Sequence, residues 1–279
     1  MKLLSYRFAG NPSYGVLSND GIIDLKERLG QPTLRLAIAY GLLEGIAARI
    51  AGASTDHALA DVELTVPVPD AEKIVCIGRN YRGHVAEGHQ QLPKTPSTFI
   101  RVSGSFAPPG GAMVRPKLSE QFDYEGELAV IIGKAGKHIV PQDAFEHIAG
   151  YTCLHDGSIR DYQFEHCLAV GKNFDRTGSI GPWMVTRDEI ADVSSLTLTT
   201  TLNGVEVQRT KTDDFIFDIP TIIAYLSSFM ELRPGDVIAT GTPEGVGFAR
   251  KPPLWLKPGD HVDVAITGIG VLRNTIIAE

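Results

Sequence analysis

Two glutamates stand two apart in Phe122-Asp123-Tyr124-Glu125-Gly126-Glu127-Leu128-Ala129-Val130-Ile131-Ile132, where an apolar run begins. In a strand, residues two apart face the same side, so Glu125 and Glu127 project together. Two like charges roughly 5–7 Å apart repel, and no cation stands beside them in sequence. A hard divalent cation removes that repulsion, because carboxylate oxygens suit Mg²⁺, Mn²⁺ or Ca²⁺. Taken alone, Glu-x-Glu reads as well as a solvated strand start. The second segment that adds weight is Gly150-Tyr151-Thr152-Cys153-Leu154-His155-Asp156-Gly157-Ser158-Ile159-Arg160-Asp161-Tyr162-Gln163. There Asp156 follows a half-apolar strand, with an arginine, a second acid and a glutamine close behind. Together the two segments supply three carboxylates, Glu125, Glu127 and Asp156, and leave coordination positions open. Open positions distinguish catalytic from structural metal sites.

His84 and Glu87 lie three apart in Tyr81-Arg82-Gly83-His84-Val85-Ala86-Glu87-Gly88. On a helical turn that spacing shares one face, where a carboxylate orients an imidazole and raises its basicity. Such a pair suits removal of a proton from water near neutral pH; without context it is also a common surface pair. Gly241-Thr242-Pro243-Glu244-Gly245-Val246-Gly247 lacks the Gly-Lys-Ser/Thr ending of a phosphate loop and fits a strand-end loop lining a pocket. His155, His89 and His166 carry no assigned role; His155 is expected to face away from Asp156. No Gly-x-Ser-x-Gly elbow is present, so serine hydrolase chemistry has no anchor.

The elements that must hold these residues are mostly strands. Ile74–Ile77, Glu127–Ile132, Leu196–Leu202, Val237–Thr240 and Val262–Ile266 are β-branched runs bounded by Gly and Pro. Pro234-Gly235 and Pro258-Gly259 read as centres of type II turns. Asp218–Met230 reads as the clearest core helix, with Asp218 as N-cap and Pro220 in its first turn. Leu34, Ile38, Leu42, Ile46 and Ile50 form one stripe at helical spacing. Val66-Pro67-Val68-Pro69 is a stiff extended connector, dividing a small N-terminal α/β module, 1–66, from a core, 67–279. Many short strands and few helices predict an α+β, β-rich sandwich or barrel.

With 279 residues and a net charge of −7, the chain does not match a nucleic-acid partner. No apolar run approaches the ~18–20 residues that cross a bilayer, and Met1–Tyr6 lacks a signal-peptide pattern. Cys76, Cys153 and Cys167 form no CxxC pair, which predicts buried thiols in a reducing compartment, read as the cytoplasm.

The chemistry-bearing segments also occur in a recognisable order. Ile77-Gly78-Arg79-Asn80-Tyr81-x-x-His84-x-x-Glu87 is followed by Tyr124-Glu125-Gly126-Glu127-Leu128 and by His155-Asp156-x-x-x-Arg160-Asp161-x-Gln163. Gly171-Lys172-Asn173-Phe174-Asp175 and Gly241–Gly247 complete the set. Over most of Lys73 to Asn274 the chain resembles the fumarylacetoacetate hydrolase (FAH) superfamily. The resemblance implies an FAH-type mixed β-sandwich roll, a homodimer, and Mg²⁺ or Mn²⁺ on Glu125, Glu127 and Asp156. It implies that Lys172 points into the site to stabilise an oxyanion or enolate, and that His84 and Glu87 belong to a lid that supplies the base. Gln163 and Thr242 match positions that bind substrate oxygens, and Arg79 and Tyr81 join them as substrate-binding candidates. Arg160 and Asp161 are expected to form a supporting ion pair. Many family members have Leu at the Arg79 position, and lysine is frequent at that of Arg101, so either arginine is a candidate for an acidic substrate end or for a structural role.

The activity expected is hydrolysis of a carbon–carbon bond in a 2,4-dioxo acid of the acylpyruvate or fumarylpyruvate type, releasing pyruvate or a related 2-oxo acid. Oxaloacetate decarboxylation and enol–keto tautomerisation or isomerisation draw on the same site. A non-enzymatic alternative is a β-sandwich binding module stabilised by Ca²⁺, which needs none of His84, Glu87 or Lys172.

Overall fold

The computed structural model describes residues 1–18 and 21–279. Strands dominate, as the short β-branched runs predict. Among the described residues the largest sheet has eleven strands: nine follow the order Gly21–Asp24, Asn11–Ser18, Lys2–Phe8, Gly178–Thr186, Ile148–His155, Gly126–Ile132, Val237–Ala239, Ile74–Gly78 and Ser97–Arg101, while Glu63–Leu64 pairs with Lys2–Phe8 and Phe106–Ala107 with Gly178–Thr186. A five-stranded sheet orders Val205–Lys211, Thr197–Leu202, His261–Ile266, Gly270–Ala278 and Ala112–Arg115. Both sheets are mixed: Val237–Ala239 runs parallel to Ile74–Gly78, and Gly270–Ala278 parallel to Ala112–Arg115. A two-stranded ribbon joins Phe122–Asp123 to Ser158–Ile159.

The strand Gly126–Ile132 is buried along its whole length, which explains why its sequence is a continuous apolar run and not an alternating one. Leu128, Val130 and Ile132 face the five-stranded sheet and pack with Leu198, Val264, Ile266 and Leu272. Ala129 and Ile131 face the other way, toward Leu34, Ile38 and Ile46 of the N-terminal segment. Each such aliphatic side chain contributes roughly 1.5–3 kcal/mol on burial, so the strand carrying the acidic pair is held from both faces.

The helix Ile219–Phe229 forms where expected, with Asp218 accepting from the Thr221 N–H at 2.8 Å and Ile219, Ile222, Ile223 and Leu226 entering the inter-sheet core. Gly235 and Gly259 take φ of 88° and 96°, as type II turns require. The stripe from Leu34 to Ile50 is two short helices, Leu34–Ala39 and Ile46–Arg49, and not one. Gly41 and Gly45 break it at φ of 68° and 84°, left-handed geometry that an α-helix does not continue through. The N-terminal segment shares the main sheet: Lys2 and Leu3 pair with Val185 and Met184. Among the described residues no helix is long and apolar enough to cross a membrane. Cys76 and Cys153 are buried free thiols, whereas Cys167 is exposed, against the expectation that all three are buried.

Candidate metal centre and active site

The register of two neighbouring strands assembles the acidic cluster. Gly126 pairs with His155 across the antiparallel ladder, and the Asp156 N–H donates to the Glu125 carbonyl at 2.8 Å. Glu125 enters one strand where Asp156 leaves the other, so the residues meet at one sheet end despite standing 31 positions apart in sequence. One carboxylate oxygen each of Glu125, Glu127 and Asp156 lies within 4.8 Å of the others, and all three residues are buried.

The acids do not stand alone, as their sequence neighbourhood implied. Lys172 Nζ donates to Glu125 Oε2 at 2.7 Å, to Asp156 Oδ2 at 2.6 Å and to the Asp156 carbonyl at 3.0 Å. Arg160 Nη2 reaches Glu125 Oε1 at 2.6 Å, and Arg101 Nη1 reaches Asp156 Oδ1 at 2.6 Å. Burial pushes Glu125 up, but the charges of Lys172 and Arg160 outweigh it and hold this carboxyl well below the usual range. Glu127 has no cationic partner among the described residues; it accepts only the Gly241 N–H at 2.8 Å. Burial, with Asp156 and Glu125 alongside, pushes Glu127 well above the usual carboxylate range. An all-oxygen set of three carboxylates, one lacking a counter-cation, fits a hard divalent ion.

The second half of the site rides on the helix Arg82–Glu87. His84 Nδ1 lies 2.8 Å from Glu87 Oε1, and the other carboxylate oxygen accepts the Gly245 N–H at 2.8 Å. A carboxylate only accepts, so Nδ1 carries the hydrogen and Nε2 is left as the base. His84 and the three acids line one pocket of about 250 Å³. The paired geometry read from the i,i+3 spacing is thus present, and the Gly241–Gly247 loop holds it against the acidic end of the sheet.

The remaining predicted residues divide. Gln163 lines the pocket, and its Oε1 accepts from Arg160 Nη1 at 3.0 Å, which aims the amide nitrogen elsewhere. Thr242 also lines the pocket, but its hydroxyl donates to the Gly126 carbonyl at 3.0 Å and accepts from Gln208. Arg79 sits at the exposed rim. Tyr81 is set apart: its ring is fully buried, 4.8 Å from Phe215, and does not line the pocket. Arg160 and Asp161 do not pair. Successive residues on a helix diverge by roughly 100°, so Arg160 turns in to Asp123 and Glu125 while Asp161 accepts from Ser119 Oγ at 2.8 Å. Arg101 is a structural clamp, buried and bound to Asp156, Ser105 and Thr177. His155 is buried with both ring nitrogens unpartnered, and burial, aided by Arg101, lowers it to about 4.

Asp123 and Tyr124 were not picked out from the sequence. Asp123 accepts from Arg160 Nε at 2.8 Å and from the Gly247 and Phe248 N–H groups at 2.7 and 3.1 Å. Tyr124 donates its hydroxyl to the Gly245 carbonyl at 3.0 Å. The run Asp123-Tyr124-Glu125 therefore ties the loop that orients Glu87 to the acids. The alternation that paired Glu125 with Glu127 offered a signal for Asp123, two residues earlier.

The family model for the fumarylacetoacetate (FAA) hydrolase C-terminal domain matches residues 73–277. Human mitochondrial oxaloacetate tautomerase FAHD2A is 38% identical over 288 residues, covering 99% of this chain and 92% of that protein. The fumarylacetoacetate hydrolase of Exiguobacterium antarcticum superposes with a TM-score of 0.83 at 33% identity, covering 100% of both chains. Maleylpyruvate hydrolase from Sphingobium sp. SYK-6, in complex with manganese(II) and pyruvate, superposes at 0.84 with 29% identity, covering 100% of this chain and 99% of that one.

Proposed function

The chain belongs to the fumarylacetoacetate hydrolase family, and from that premise we propose that it is a divalent-metal-dependent hydrolase of a carbon–carbon bond in a 2,4-dioxo acid. The observation that carries this reading is the opening of the His84–Glu87 dyad into the pocket of the three buried acids. Glu125, Glu127 and Asp156 would hold Mg²⁺ or Mn²⁺, which supplies Lewis acidity to the oxygens of a bound 2-oxo acid. The solved neighbour that contains manganese and pyruvate supports that choice.

His84 Nε2 takes a proton from water while Glu87 fixes the ring, and the hydroxide adds to the C4 carbonyl. The C3–C4 bond then breaks, its electron pair leaving as pyruvate enolate and the C4 fragment leaving as a carboxylic acid. The proton held by His84 returns to C3, giving pyruvate. One water is consumed and no redox partner is needed. The Lys172 ammonium stabilises the enolate charge once one of its three N–H groups is released from Glu125 or Asp156. Gln163 offers its amide nitrogen to a substrate oxygen.

A second reading is enol–keto exchange or decarboxylation of oxaloacetate, and the human oxaloacetate tautomerase supports the first of these. It uses the same acids and Lys172 but adds no water to a carbonyl. Pyruvate release from acetylpyruvate or fumarylpyruvate, set beside the loss of enol absorbance from oxaloacetate, separates the two. Hydrolysis is expected in the first assay; turnover of oxaloacetate alone would replace it with the second reading. A homodimer in the cytoplasm completes the proposal. The free thiols fit a reducing compartment, and because the human relative is mitochondrial, fractionation of the native cell tests the location.

A further inference from the structure

We propose that Arg101 makes the acidic centre selective for a small octahedral cation over Ca²⁺, by confining Asp156 to a single ligand oxygen. The inference rests on the reading of Glu125, Glu127 and Asp156 as a divalent-ion site and adds the residue that sets which ion is taken.

Each of the three acids has one carboxylate oxygen held by a fixed donor. Arg160 Nη2 holds Glu125 Oε1 at 2.6 Å, the Gly241 N–H holds Glu127 Oε2 at 2.8 Å, and Arg101 Nη1 holds Asp156 Oδ1 at 2.6 Å. The oxygens left to an ion are Glu125 Oε2, Glu127 Oε1 and Asp156 Oδ2. The first and last of these carry the Lys172 ammonium, whose flexible stem lets it withdraw. Three single oxygens suit Mg²⁺ or Mn²⁺, whose octahedral shell is then completed by water and the 2-oxo acid. Ca²⁺ is larger, takes roughly 6–8 oxygens and gains from binding both oxygens of one carboxylate, which these acids do not offer.

Of the three clamps, Arg101 is the most fully engaged. Its Nε donates to Ser105 Oγ at 3.1 Å, and Nη1 donates to the Gly157 carbonyl at 3.2 Å besides Asp156. Its Nη2 donates to the Ser105 carbonyl at 3.2 Å and to Thr177 Oγ1 at 3.0 Å, so all five N–H groups of the fork are used. Arg160, by comparison, makes three such bonds, to Asp123, Gln163 and Glu125. Arg101 is 1% exposed, its guanidinium lies 4.5 Å over the Phe106 ring, and a Cβ on Gly178 would fall 2.9 Å from Nη1. Rotating the fork would leave several buried polar groups unpaired at once, which no single new contact offsets. Asp156 is therefore held with Oδ1 turned to Arg101 and Oδ2 alone turned to the pocket.

The test measures dissociation constants for Mg²⁺, Mn²⁺ and Ca²⁺ by calorimetry on the full chain, and reads the ratio of Mg²⁺ to Ca²⁺ affinity. The wild-type protein is expected to bind Mg²⁺ at least as tightly as Ca²⁺. Arg101→Met removes a positive charge, which strengthens all three ions alike because they share one charge, so the ratio isolates the freed Oδ1. It should shift about tenfold toward Ca²⁺. Arg101→Lys keeps the charge but brings three donors to five acceptors, and should shift the ratio about threefold. This second variant decides the matter where Arg101→Met does not fold. Ca²⁺ bound more tightly than Mg²⁺ by the wild-type protein, or a ratio that the folded variant leaves unmoved, overturns Arg101 as the determinant and leaves the divalent-ion reading standing. Absence of saturable binding by any of the three ions overturns that reading and the inference with it.

Discussion

Lys172 occupies the oxygens that a divalent ion needs. Its ammonium bridges Glu125 and Asp156, and burial, which would lower it, is outweighed by those two acids, so its pKa is raised. Lys172→Met removes a positive charge from the metal pocket and should tighten Mn²⁺ binding about tenfold while cutting turnover at least a hundredfold. Titration followed by Mn²⁺ spectroscopy checks it; weaker metal binding would mean that Lys172 orients the acids and does not compete with the ion. His155 gives a pH test. Its folded value of about 4 lies below the ordinary 6.5, so between these limits the unfolded chain takes up a proton that the folded chain refuses. Acidification across that window should therefore cost stability, up to roughly 3 kcal/mol. Urea unfolding in EDTA should show a shallower loss for His155→Leu, and identical pH slopes would refute this. The three acids were legible from spacing and residue type. Their cationic partners were not, because Arg101 lies 55 residues from Asp156, Arg160 35 from Glu125, and Lys172 47 from Glu125 and 16 from Asp156.

The helix Arg82–Glu87 is one and a half turns long and has little stability of its own. Its position comes from the Gly241–Gly247 loop, which Tyr124 and Asp123 fasten to the edge of the acidic strand. Tyr124→Phe deletes one hydrogen bond and should lower unfolding free energy by about 1 kcal/mol. The larger effect should be on chemistry: kcat about tenfold lower through a misplaced Glu87, with Mn²⁺ affinity unchanged. Steady-state kinetics beside metal titration decide it, and an unchanged kcat would remove Tyr124 from the positioning of the base. Among elements, the capped helix after Asp218 was legible because its signals are local. The stripe from Leu34 to Ile50 misled because its spacing continued through Gly41 and Gly45, where the backbone turns left-handed.

Across the whole molecule, the β-rich architecture followed from many short strands between Gly and Pro. That the first strand would pair with Gly178–Thr186, about 180 residues on, did not, since strand pairing at such separation leaves no local trace. The fold brings together two devices from distant parts of the chain, an acidic centre at one sheet end and a His–Glu base on a short helix. The most direct measurement is turnover of the preferred 2-oxo acid in saturating Mn²⁺, in EDTA, and in the His84→Ala variant with metal binding checked separately. The prediction is loss of activity in EDTA that Mn²⁺ restores, and a loss of roughly 10²–10⁴-fold in the variant at unchanged metal affinity. Activity that persists in EDTA, or a fully active His84→Ala enzyme, would contradict it.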